Sequence, residues 1–211
     1  MATLAKSEHA VLRDYATSQW PDLQAAADTA SYLALDFELD GLSDNAHLLQ
    51  AGWVPIDGRS IPLVKAVSLD IRSNAELNDV AVTIHGIGEQ RAAQGTKLGE
   101  AIPSLIKALA GRILIAHCAS IEIAAIQRAT KALYGVALPV RSVCTLTLER
   151  HLRPNLVGPE VYRLGPTRAR YGLPNYPAHD ALTDAIAAAE LFQAQLSRMS
   201  PNTRLRDTEG V

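Results

Sequence analysis

The run SYLALDFELDG, Ser31 to Gly41, limits what this chain can become more than any other stretch. Tyr32, Leu33, Leu35, Phe37 and Leu39 give it the apolar and aromatic pattern of a strand, and Asp40-Gly41 stops it. Inside that strand sit Asp36 and Glu38. Side chains two apart on a strand point to one face, so the two carboxylates project together. Burying two like charges side by side is expensive unless a cation neutralises them, and hard divalent cations with oxygen ligands are the natural answer. By itself the pair fits a wet, acidic strand face at least as well. A second constellation has to decide.

That constellation is His179-Asp180-Ala181-Leu182-Thr183-Asp184, opening the strong helix AHDALTDAIAAAELFQAQLSRM. Leu182, Ile186, Ala189 and Leu196 mark its apolar face, and Asp180 stands where it can cap the first turn. Asp184 lies among alanines, where an idle charge has no use. His179, just ahead of the helix, has a pKa range suited to proton transfer near neutrality.

Between these two sites the chain reads as a mixed α/β domain. Two more strand-like runs follow the first, around HLLQAGWVPI and IPLVKAVSLDI, with Asp57-Gly58 as a turn. Three strands in close succession predict an antiparallel meander. A loop containing TIHGIG then leads to a helix near LGEAIPSLIKALAG, a buried strand RILIAH, a helix near SIEIAAIQRATKALYG and a short strand around VRSVCTL. Strands first and alternating helix and strand afterwards is a mixed-sheet pattern. The expected organisation is a helical N-terminal extension over 1–28, one domain over 29–199 and a frayed polar tail over 200–211. No internal repeat interrupts it. His85-Gly86-Ile87-Gly88 contains G-x-G, but position 91 is Arg and no strand leads tightly into it, so it is not a dinucleotide fingerprint.

Composition excludes several classes. At 211 residues and 48% hydrophobic the chain is globular, and no apolar run reaches the length of a membrane span. The N-terminus lacks the pattern of a secretory signal, and Cys118 and Cys144 read as free thiols, so the expected setting is cytoplasmic. A net charge of −2 does not make the whole protein a nucleic-acid binder. Charge is unevenly spread, however. Arg141, Arg150, Arg153, Arg163, Arg168 and Arg170 face only Glu149 and Glu160 in their segment, a local +4 on side chains that can fork onto phosphates.

Four segments in order, DFELDGL at 36–42, TIHGI at 83–87, LIAHCASIE at 114–122 and HDALTDA at 179–185, resemble the DnaQ-like, DEDDh exonucleases. The resemblance spans residues 31–196, and a histidine five positions before the last Asp distinguishes this branch from its tyrosine sister. It implies a ribonuclease-H-like fold, a mixed five-stranded sheet flanked by helices. It also implies a 3′→5′ exonuclease that uses two divalent cations, Mg²⁺ or Mn²⁺, on single-stranded DNA or RNA ends. Asp36, Glu38 and Asp184 would bind metal, with Glu122 as the middle acid, and His179 would be the general base. Phe37, Leu39, His85 and Ile121 would meet the substrate, His85 against the terminal nucleotide.

The middle motif departs from the family. Where the family has His-Asn-x-x-Phe-Asp, this chain has His117-Cys118-Ala119-Ser120-Ile121-Glu122. No Asp lies between Asp79 and Asp180, so Glu122 is the only acid at that place in the motif. Its extra methylene displaces the carboxylate by roughly 1.5 Å, about one carbon–carbon bond. Two other readings keep the fold: a weakened binding or regulatory module, and a phosphodiesterase acting on a small nucleotide. A homodimer or a partner protein stays open; a membrane does not.

Overall fold

The strand expected from Ser31 is β1 (Ser31–Leu39), and it forms the centre of a five-stranded sheet. The computed structural model describes residues 1–41, 43 and 46–209; Leu42, the last residue of the DFELDGL segment, lies outside the described residues, as do Asp44, Asn45, Gly210 and Val211. β2 (Leu48–Asp57) pairs antiparallel with β1, and β3 (Val67–Asp70) antiparallel with β2. On the other side β4 (Ile113–Ala116) and β5 (Ser142–Cys144) join in parallel, giving the order β3-β2-β1-β4-β5. This is the mixed α/β sheet expected of the ribonuclease-H-like class.

The helices follow in chain order as α1 (Ala10–Thr17), α2 (Asp79–His85), α3 (Glu89–Ala93), α4 (Leu98–Leu109), α5 (Ser120–Tyr134), α6 (Thr145–Leu152), α7 (Leu164–Arg170), α8 (Ala181–Leu196) and α9 (Arg206–Glu209). The period of two along β1 feeds two cores. Leu33 and Leu35 pack with Leu12 and Tyr15 of α1, Leu105 of α4 and Ile126 of α5 on one side. Tyr32 and Ala34 pack with Val54 and Ile56 of β2 and with Ala189 and Phe192 of α8 on the other. Asp36 and Glu38 continue the second face beyond its apolar part, at the end where α8 begins. No helix among the described residues is long and apolar enough to cross a membrane.

Two expectations of local structure are corrected, and both terminal segments are packed. TIH of the TIHGIG loop is helical: the Asn78 side chain accepts the N–H groups of Val80 and Ala81 at 2.9 and 3.2 Å, and Gly86 at φ 68° closes α2. The VRSVCTL strand is only Ser142–Cys144, after which Thr145 starts α6. The N-terminal segment carries α1 and packs on the sheet domain, with Leu12 and Tyr15 fully buried and the Tyr15 hydroxyl donating to the Pro139 carbonyl at 2.8 Å. The tail is packed over its described residues. Arg204 bridges Ala26, Leu205 is fully buried, and Glu209 accepts a fork from Arg141 at 2.6 and 2.9 Å. Backbone hydrogen bonds to residues 23–27, one buried leucine and one ion pair seat a segment whose composition is otherwise polar.

Candidate active site

β1 runs into the end of the sheet with its acidic pair on the floor of a cleft of about 1030 Å³. Asp36 stands opposite Gly52, and Glu38 opposite Gln50, on β2; the register shifts between Glu38 and Leu39, directly after the second acid. Gly52 explains how a helix reaches this floor. A Cβ there would lie 2.1 Å from the Leu182 backbone nitrogen, so α8 crosses β2 at a distance only glycine permits. That crossing brings the first turn of α8 down onto Asp36 and Glu38. The ligand oxygens of Asp36, Glu38 and Asp184 all lie within 4.8 Å of one another.

The entrance to α8 is fixed by hydrogen bonds. Asp180 caps the helix as expected, accepting the Thr183 N–H at 3.0 Å and the Thr183 hydroxyl at 2.8 Å. His179 adopts φ 69°, left-handed backbone that a residue with a Cβ takes at a cost of about 1–2 kcal/mol. Its N–H donates to Asp184 Oδ2 at 2.7 Å, so the histidine and the last acid are tied together across the turn. The imidazole itself is on the cleft surface.

Glu122 arrives from the opposite side, in the first turn of α5. It is 3% exposed, and its Oε2 has no hydrogen-bond partner. It is not part of the 4.8 Å trio, but among charged groups it acts most strongly on Asp36. The turn that delivers it contains Cys118 at φ 77°, the other left-handed residue with a Cβ among those described. Asn accepts that conformation more readily than most residues, and Cys occupies it here. Both strained residues therefore flank the acidic floor, which is where over-determined backbone concentrates in functional sites.

The electrostatics follow from burial without counter-charge. Burial, then Glu122, Asp184, Glu38 and Asp180, push the Asp36 carboxyl well above the usual carboxylate range. Burial, then Asp184 and Asp180, push Glu38 up to about 7. Glu122 is pushed up to about 8 by burial, against a smaller opposing effect of its own backbone amide. Such a floor fits a divalent cation. Oxygen donors converge, one is unpartnered, and the charged form waits for a positive neighbour.

The other predicted residues also line the cleft: Phe37, Leu39, His85 and Ile121. His85 is buried, and its Nδ1 accepts the Ile87 N–H at 3.1 Å, leaving Nε2 without a partner. Burial, then Arg91 and His179, lower its pKa. His117 is a structural histidine: burial lowers it to about 4. It is therefore neutral, with Nε2–H donating to the Tyr162 carbonyl at 2.9 Å and Nδ1 accepting the Thr145 hydroxyl at 2.9 Å.

The arginine segment differs from its sequence expectation. Arg168 is buried, with Nη1 on the Ala187 carbonyl at 2.7 Å and Nη2 on Glu190 at 2.7 Å; Arg170 binds Glu149 and the Val161 carbonyl. Arg141 holds Glu209. These three are engaged inside the protein, and their charge is not offered to a phosphate. Tyr176 is a cleft residue without a signature of its own in the sequence. The Arg168 guanidinium lies 5.0 Å from its ring centroid, and burial, followed by Asp184 beside it, raises its phenol.

Comparison with known proteins comes to the same point. The model of the RNase T exonuclease family matches residues 33–192. A DNA polymerase III of the PolC type from Caldanaerobacter subterraneus subsp. tengcongensis is 25% identical over 169 residues, 80% of this chain and 12% of that protein. In fold, the chain is similar to E. coli exonuclease I in its zinc-bound complex with single-stranded DNA. The TM-score is 0.69 at 17% identity, over 81% of this chain and 41% of that one. It is also similar to the cell-death related nuclease CRN-4, with a TM-score of 0.66 at 18% identity, over 81% of this chain and 65% of that one. The chain thus spans less than two thirds of each relative. With the family's match running from β1 through α8, and the acidic cleft lying between those two elements, the chain belongs to the DnaQ-like exonuclease family of ribonuclease-H fold.

Proposed function

We propose that this nuclease is a 3′→5′ exonuclease that releases nucleoside 5′-monophosphates from single-stranded DNA or RNA ends. The observation that carries the reading is the acidic floor: Asp36, Glu38 and Asp184 within 4.8 Å, Glu122 buried beside them, and His179 tied to Asp184. Asp36, Glu38, Asp184 and Glu122 would hold Mg²⁺ or Mn²⁺, two ions per site. When bound, such ions stabilise the entering and leaving oxygens of an in-line phosphoryl displacement. The His179 imidazole takes the proton of the attacking water, and the backbone bond from His179 to Asp184 ties the residue that carries it to the last acid. Phe37, Leu39 and Ile121 give the terminal nucleotide an apolar wall, with His85 beside it. E. coli exonuclease I, which shares this fold, has been seen with single-stranded DNA, and this supports the choice of substrate.

One observation favours a second reading, cleavage of a small nucleotide phosphodiester. Of the two arginines lining the cleft, Arg168 is engaged internally, so that Arg163 alone, in an exposed pair with Glu160 at 2.7 Å, can turn to a phosphate, which gives a long phosphate backbone little to hold. A single assay separates the readings. A 5′-labelled oligonucleotide in Mg²⁺ or Mn²⁺ should shorten stepwise and release 5′-mononucleotides, and a chelator should stop it. Release from the 5′ end, or undiminished turnover in excess chelator, would overturn the proposal. Cleavage confined to dinucleotides would select the second reading.

A further inference from the structure

The floor of the cleft is held by a chain of hydrogen bonds that starts well outside it. Arg91 of α3 forks onto Asp70 at the end of β3, Nε to Oδ2 and Nη2 to Oδ1, both at 2.7 Å. Asp70 Oδ1 accepts the side-chain amide N–H of Gln50 at 3.1 Å. Gln50 Oε1 accepts the N–H of Ala181, the first residue of α8, at 2.9 Å. Gln50 is 2% exposed and stands opposite Glu38 in the sheet.

A glutamine amide has a donating and an accepting end, and either could in principle face α8. Here only one orientation satisfies both ends. The Asp70 carboxylate accepts only, so it draws the NH₂ group, and the Arg91 fork holds that carboxylate in place. The carbonyl oxygen is thereby turned to the Ala181 N–H. Reversed, the amide would set NH₂ against a backbone N–H and carbonyl against carboxylate, leaving buried groups unsatisfied at both ends.

We infer that Arg91, Asp70 and Gln50 are positioning residues for the metal-binding floor. They set the height of the first turn of α8 over β1, and with it the places of Asp184 and His179 against Asp36 and Glu38. Gly52 removes the steric barrier to that approach, and the Gln50 amide fixes its depth. The inference rests on the reading of Asp36, Glu38 and Asp184 as cation ligands. It does not depend on which substrate is cut.

The test is Mn²⁺ titration by calorimetry on the full chain, beside kcat and KM on an oligonucleotide and metal-free melting. Gln50→Met keeps the bulk and removes both hydrogen bonds. It should weaken Mn²⁺ binding about tenfold and lower kcat by about ten- to a hundredfold, the range seen when supports of metal ligands are removed. KM should stay within about twofold, because no substrate contact changes. Arg91→Met, at the far end of the chain, should show the same pattern more weakly, and Arg91→Lys should recover part of it. Arg59→Met, which breaks an exposed pair with Asp28, is the control and should leave Mn²⁺ affinity unchanged. Wild-type Mn²⁺ affinity in a folded Gln50→Met protein would overturn the inference. If that variant does not fold, wild-type affinity and kcat in Arg91→Met would do so. Should the wild-type chain bind Mn²⁺ yet leave oligonucleotides intact, the substrate reading fails, and the calorimetry still decides the positioning role.

Discussion

The cleft floor and the arginine-rich segment each bury a glutamate, and they treat it in opposite ways. Glu149 is fully buried, and both its oxygens are satisfied. Oε1 takes Arg170 at 3.2 and 3.3 Å and Arg153 at 3.6 Å, while Oε2 takes the Tyr171 hydroxyl at 2.7 Å and the Gln195 amide at 3.1 Å. Glu122 is 3% exposed, has an orphaned oxygen, and acts on Asp36 as one like charge on another. A buried carboxylate is tolerable when hydrogen-bonded and paired, and costly when not. The satisfied one therefore serves the fold. The unsatisfied one points to something outside the chain, and a divalent cation answers its need.

The largest expected effect tests that division directly. Glu122→Gln keeps size and shape but removes the negative charge. If Glu122 serves a cation, kcat should fall by about 10²-fold or more, while the metal-free protein melts no lower than wild type because no paired charge is lost. Normal kcat with a slightly lower melting point would return Glu122 to a mere helix-start charge, whose loss costs only about 0.3–1 kcal/mol. Glu122→Asp, the family's usual residue, should keep partial to full activity.

Glu149→Gln should show the reverse. Losing the charge that Arg170 and Tyr171 share leaves donors poorly paired in a buried place, at roughly 1.5–3 kcal/mol. That corresponds to a melting point lower by about 4–10 °C in a chain of this size, with kcat per folded molecule kept. Loss of turnover at unchanged stability would break the comparison, because the arginine segment would then act in the chemistry.

Acidity offers a milder probe of the same contrast. In the metal-free protein, Glu38 and Glu122 titrate near 7 and 8, above their ordinary value of 4.5, and Asp36 is raised too. Groups raised by folding stabilise the native state below their unfolded pKa and lose that contribution as pH climbs through the folded one. Metal-free melting temperature should therefore decline from about pH 5 to 8, and saturating Mn²⁺ should flatten the decline. His117, lowered from 6.5 to about 4, works the other way, removing stability as pH falls from 6.5 toward 4. A metal-free melting point that rises steadily from pH 5 to 8 would contradict the protonated floor.

How far these regions were legible from sequence follows from the range of the interactions. Asp36 and Glu38 stand out as a pair because the period of a strand is local, and His179 and Asp184 because a helix start is local, but only the family resemblance joins the two. Glu122 was singled out only through the family's motif, where it takes the place of the usual Asp. Gln50 could not be found that way: its partner Ala181 is 131 residues away, and a glutamine in an apolar strand has no signature. Gly52 was legible in principle, since a glycine inside a strand often marks close approach. The arginines misled because a count of charges shows no partners. Arg141 meets Glu209 across 68 residues, and Arg168 is held by carbonyls and by Glu190 of α8.

The smallest effect concerns Arg163, the one cleft-lining arginine whose charge remains available. Its side chain is 72% exposed and that of its partner Glu160 70% exposed, so their pair at 2.7 Å contributes only about 0–1 kcal/mol and gives way easily to a better anion. Arg168 and Arg170 have no such freedom. If single-stranded nucleic acid runs past this edge of the cleft, Arg163→Ala should remove one phosphate contact. The slope of log affinity against log salt would then fall by about 0.7, and binding would weaken by less than about tenfold. Arg168→Met and Arg170→Met should lower the melting point and leave that slope as in wild type, because charges already neutralised inside the protein release no counterions on binding. Measuring all three slopes on one oligonucleotide settles the matter. A full loss of slope at Arg168 or Arg170 would mean that the segment opens toward substrate, and the opposition between an engaged arginine cluster and an unsatisfied acidic floor would not hold. An unchanged slope in Arg163→Ala would sharpen it, leaving the acidic floor and its cations as the principal grip on phosphate.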